Sequence, residues 1–136
     1  MDWYSKHVPV DIAKILVGAG MNDDYEGIYV YTTDDSPILF KHKSSMASWY
    51  KDRDYIPAPT YGEAVDWLFD RNVFIELIPW KTYALEERIG FSYRISSYNE
   101  DLHILEREEW EEYASFRLCM NTAIKRSVEI LNESKS

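Results

Sequence analysis

The stretch that most constrains this chain is Pro57-Ala58-Pro59-Thr60-Tyr61-Gly62-Glu63-Ala64-Val65-Asp66-Trp67-Leu68. The prolines disfavour helix before Thr60, because a residue preceding proline is pushed to extended backbone. Thr60 and Glu63 stand three apart, the spacing at which each side chain caps the other's amide. Ala64, Trp67 and Leu68 then share one helical face. A helix that begins so abruptly, between two strand-like regions, makes the fold mixed α and β.

The flanking sequence extends that reading. A helix is expected over 9–19, opened by Pro9, striped by Ile12, Ile15, Leu16 and Ala19, and stopped by Gly20. Met21 should fold back on its last turn. Residues 28–33 and 38–42 read as a hairpin around an Asp-Asp-Ser-Pro turn. Residues 43–56 fit either a short helical turn or an irregular strand. The central helix should run over 61–71 to a cap at Asn72, followed by an apolar strand over 73–78 that Pro79 ends. Residues 80–88 read as a connection. Ile89, Phe91, Tyr93 and Ile95 alternate with small or polar residues, as in a strand with one buried face. Residues 102–105 fit a short strand or an early helical turn. A long helix is expected over 106–131, its first turn rich in glutamate, with a frayed tail at 132–136. The order is α-β-β-α-β-β-α. The expected fold is a single α+β domain: a four- or five-stranded, mainly antiparallel sheet with helices packed on one face.

A chain of 136 residues can bury a core without disulfide or metal support. Its 24 acids against 15 bases give a net charge of −9, which disfavours direct contact with phosphates or anionic lipid. With no run of eighteen apolar residues, no membrane span is expected. One cysteine and an N-terminus without a secretory pattern fit a cytoplasmic protein.

Chemistry-bearing motifs are sparse. His7, His42 and His103 lie on separate elements without metal-ligand spacing, and each reads better as a surface or satisfied core residue. Cys119, between Leu118 and Met120, reads as a small packing hydrophobe. Asp23-Asp24 and Asp34-Asp35 lack the alternation of a calcium loop and suit turns. Gly18-Ala19-Gly20 follows a helix, so it is a stop and not a phosphate loop. No catalytic residue, metal ligand or cofactor is expected, and the balance is against an enzyme.

Two aromatic groups remain: Trp49, Tyr50, Arg53 and Tyr55 before the prolines, and Trp80, Lys81 and Tyr83 after Pro79. Tryptophan, tyrosine and arginine dominate binding hot spots, so these are the candidate contact residues. The blander alternative makes them lids over a small core.

Ala58-Pro59-Thr60-Tyr61-Gly62-Glu63-Ala64-Val65-Asp66-Trp67-Leu68, the alternating strand and Ala123-Ile124-Lys125-x-Ser127-Val128-Glu129-Ile130-Leu131 together give a recognisable pattern. It resembles a group of small uncharacterised proteins encoded by prophages and mobile elements of gut anaerobic bacteria. The resemblance implies an accessory protein and no site residue. The function expected is binding of a protein partner, a host factor included, or self-association as a homodimer. Two alternatives stand beside it. One is a small-molecule site or enzyme pocket between the sheet and the loops at 49–55 and 80–83. The other is an acidic DNA mimic built on Glu106, Glu108, Glu109, Glu111 and Glu112.

Overall fold

A computed structural model describes residues 5–22, 25–31, 36–45, 51, 53–83, 87–98, 102–107 and 116–134. It is α+β, and its described chain divides into two compact units, Met1–Ala64 and Val65–Ser136.

In the first unit, helix α1 (Val10–Gly18) buries Ile12, Ala13 and Leu16. It ends as its sequence dictates. Gly20 adopts φ 107°, its amide donates to Val17 O (3.0 Å), and the Met21 amide donates to Leu16 O (3.1 Å). This paired closure satisfies orphan carbonyls and turns Met21 back into the core, where it is fully buried. Strands β1 (Ile28–Tyr31) and β2 (Pro37–Phe40) form the expected hairpin. Within 43–56, residues 46–50 and 52 lie outside the described residues. A 3₁₀ turn spans Lys43–Ser45, and a short strand β3 (Tyr55–Pro57) pairs with the other side of β1. The sheet order is β2-β1-β3, all antiparallel.

Helix α2 (Tyr61–Asp70) opens on the reciprocal cap read from the sequence. Glu63 N–H donates to Thr60 Oγ1 at 3.1 Å, and Thr60 N–H donates to Glu63 Oε1 at 2.8 Å. It closes through Asn72 at φ 66°, with Asn72 N–H on Phe69 O (2.9 Å) and Val73 N–H on Leu68 O (2.9 Å). The two helices thus end by one device, with asparagine replacing glycine in the left-handed position. Thr60→Ala should lower stability by about 1 kcal/mol in urea unfolding, and Glu63→Ala by less.

The second unit differs most from expectation. Strand β4 (Phe74–Tyr83) does not stop at Pro79 but continues through it, and pairs along its whole length with β5 (Glu87–Tyr98). Trp80 and Tyr83 therefore lie on a strand, opposite Gly90 and Glu87, and not in a connection. Proline is tolerated because β4 is at the sheet margin, where a ring nitrogen can face away from the ladder. Strand β6 (Leu102–Arg107) follows, so residues 106 and 107 are extended and not helical. A bulge lets Ile95 pair with Glu106 and Ser96 with Ile104, leaving Leu105 as the extra residue. Helix α3 (Phe116–Ser134) begins ten residues later than expected and includes 132–134 of the expected tail. Glu106 is thus on a strand, and Glu108, Glu109, Glu111 and Glu112 lie outside the described residues.

The single sheet of four or five strands is corrected to two three-stranded antiparallel sheets, β2-β1-β3 and β4-β5-β6. The element order becomes α-β-β-β-α-β-β-β-α. The extra strands are the two short segments that carried no clear periodicity.

In the second unit α3 packs on β5 and β4, burying Cys119, Met120, Ala123, Ile124, Ser127 and Val128. Among the described side chains of the alternating strand Tyr93, Ile95 and Ser96 are buried, and Phe91 meets Phe116 edge-on at 5.8 Å. Ser127 is buried without strain because its hydroxyl donates to Ala123 O at 2.7 Å.

Candidate functional site

The first unit contains a cleft of about 320 Å³ at the end of α1. Val17 and Met21 contribute from the helix and its closure, Ile28 from β1, and Tyr55 and Pro57 from β3. Asn22, Tyr25 and Lys43 complete the described lining. Met21 and Ile28 are buried and form an apolar floor, whereas Tyr55 is 43% exposed. Lys43 is held by its backbone: its amide donates to Glu26 O at 2.9 Å. The following residue ties the same turn down, since Ser44 Oγ donates to Glu26 Oε2 at 2.7 Å.

A second feature lies in the same unit. His7 Nδ1 donates to Ala58 O at 2.7 Å, which fixes the proton on that nitrogen. The adjacent chain is doubly tied, with Val8 N–H on Pro59 O (3.0 Å) and Tyr61 N–H on Lys6 O (2.8 Å). Gly27 passes directly beneath the imidazole. A Cβ there would lie 2.5 Å from His7 Cε1 and would also strike the Ala58 carbonyl. His7 is therefore a fastener between two chain segments. His42 is exposed and His103 lies on β6.

Of the seven residues expected to make contacts, the structure describes two in the first unit: Arg53, exposed, and Tyr55, on the cleft. Trp80, Lys81 and Tyr83 belong to β4 of the second unit, so 80–83 is strand and not loop. Trp49 and Tyr50 lie outside the described residues. The remaining lining residues were missed by sequence reasoning. Met21 stands out in the sequence, but only as helix closure.

Two buried polar atoms lack a hydrogen-bond partner among the described residues, Trp67 Nε1 and Arg94 Nε. The Trp67 ring is covered by the Arg71 guanidinium at 3.6 Å, a cation–π contact within one turn of α2. Arg94 pairs with Glu76, its register partner across β4 and β5. The pair is partly exposed, which makes it a modest cross-strand tie. Cys119 is wholly buried on the inner face of α3. Among the described residues no three His, Cys, Asp or Glu side chains converge as a metal-ligand set, and no helix is long and apolar enough to cross a membrane.

Across the first sheet, Ile38, Val30 and Tyr55 form one cross-strand row, because Val30 is the register partner of both neighbours. Val30 is fully buried at its centre, yet Ile38 is 46% and Tyr55 43% exposed at its ends. Large apolar groups are thus presented at both margins of a rigid three-stranded platform. Comparison with known protein families, with curated proteins and with solved structures finds no match to this chain.

Proposed function

We propose that the chain is a non-catalytic protein that works by binding a protein partner or a second copy of itself. The observation that carries this reading is the row Ile38–Val30–Tyr55, with its large apolar side chains turned to solvent at both ends. Exposed Ile and Tyr on a backbone fixed by hydrogen bonding lose little freedom when covered, so their burial favours association. The prophage resemblance makes a host protein the partner of first choice. The acidic surface is consistent with avoidance of nucleic acid, leaving protein surfaces as the natural counterpart.

A photo-crosslinking amino acid at position 38 or 55 tests the reading in lysate and in purified protein. The expected result is a discrete crosslinked product from both positions, or a self-associated species in sedimentation velocity. Ile38→Asp and Tyr55→Asp should each abolish it with an unchanged circular dichroism spectrum. A protein that sediments as a monomer and crosslinks to nothing from either position overturns the reading.

A further inference from the structure

The cleft beside Tyr55 supports an inference that goes beyond association with a protein. Its volume of about 320 Å³ is at the small end of the range for ligand sites, enough for one ring or a short branched chain. Its floor is preorganised. Met21 is fixed by the backbone closure of α1 and Ile28 by pairing on both sides of β1, and both side chains are buried. A body placed on this floor would be covered by Val17 and Pro57 at the sides and by a tyrosine ring at the mouth.

The polar part of the lining has a sign. Among its described residues one is charged, Lys43, and none is acidic. In the same turn the Glu26 carboxylate accepts the Ser44 hydroxyl at 2.7 Å. The root of Lys43 is locked by its own amide bond to Glu26 O. An ammonium has three donors, so it can hold a ligand carboxylate together with contacts inside the protein. Asn22 adds an amide that can donate to the same group. Within a protein of net charge −9, a cleft with this lining selects its occupant by charge as well as shape.

We propose that this cleft is a binding site for a small monocarboxylate with an aromatic or branched aliphatic body. The carboxylate sits against Lys43 and Asn22, and the body rests on Met21 and Ile28. No bond is made or broken; the site holds the molecule.

Three probes of one shape decide the matter: 3-phenylpropionate, its amide, and 3-phenylpropylamine. Each is titrated into the whole chain and followed by backbone amide NMR. The acid should shift the Met21, Ile28 and Tyr55 amides saturably and bind about tenfold tighter than the amide, a typical margin for one charge-assisted hydrogen bond. Lys43→Gln should remove that margin, so that acid and amide bind alike, and Lys43→Glu should turn the preference to the amine. No saturable shift at these amides overturns the proposal. So does an amine that binds as well as the acid. A Lys43→Gln protein that keeps its preference for the acid also overturns it. If Lys43→Gln failed to fold by circular dichroism, the ranking of the three probes on the unaltered chain would decide alone.

Discussion

Ile124→Ala should lower the unfolding free energy by about 2–5 kcal/mol, the largest effect of any conservative truncation in α3. The side chain is wholly buried on the face of α3 that meets β5 and β4. Removing three of its carbons loses the transfer free energy and leaves a void that a helix pinned at neighbouring Ala123 and Ser127 cannot close. Leu118→Ala is the internal control. Leu118 is on the same helix but 56% exposed, so the equivalent truncation should change stability by no more than about 0.5 kcal/mol. Urea unfolding followed by circular dichroism gives both values. Equal losses for the two variants would mean that α3 packs by another face.

Gly27→Ala should lower the stability of the first unit by about 2–3 kcal/mol, far beyond the small gain that Gly-to-Ala changes bring where space allows. The added carbon would meet both the Ala58 carbonyl and the His7 ring. It cannot fit without moving the strand continuation that receives Ala58 N–H on Gly27 O at 2.8 Å. The two obstacles separate by a double-mutant cycle. His7→Ala on its own should destabilise, through loss of the imidazole bond to Ala58 O. Combined with Gly27→Ala it should recover part of the clash and leave the part due to the carbonyl, a coupling of opposite sign to the single losses. Strict additivity would show that the ring does not lie over Gly27.

The sequence-level reading succeeded where the signal is carried by a few adjacent residues. Both helix closures, the Thr60–Glu63 cap and the 28–40 hairpin follow from local chemistry, and all are present. It failed where pairing decides. Tyr55–Pro57 is three residues long, too short to show a period, and becomes a strand because β1 has an open side. Residues 102–105 fit either a strand or a helical turn by sequence, and pairing with β5 settles them, with Glu106 and Arg107, as the strand Leu102–Arg107. Pro79 was read as a terminator because the rule for central strands was applied to a strand that lies at a margin. The candidate cleft was legible only in part. Tyr55 stands out by its type, but Val17 and Met21, Ile28, and Lys43 come from three separate places in the chain. Only the fold brings them together.

Strand β4 is ten residues long and has one bonded neighbour, β5, among the described strands. An uninterrupted row of outward amides of that length would template the addition of foreign chains, the first step towards fibrils. Pro79 removes one donor near the middle of the row, so an incoming strand finds two stubs and not one continuous rail. The pyrrolidine ring thereby makes this margin of β4 a poorer template for strand addition.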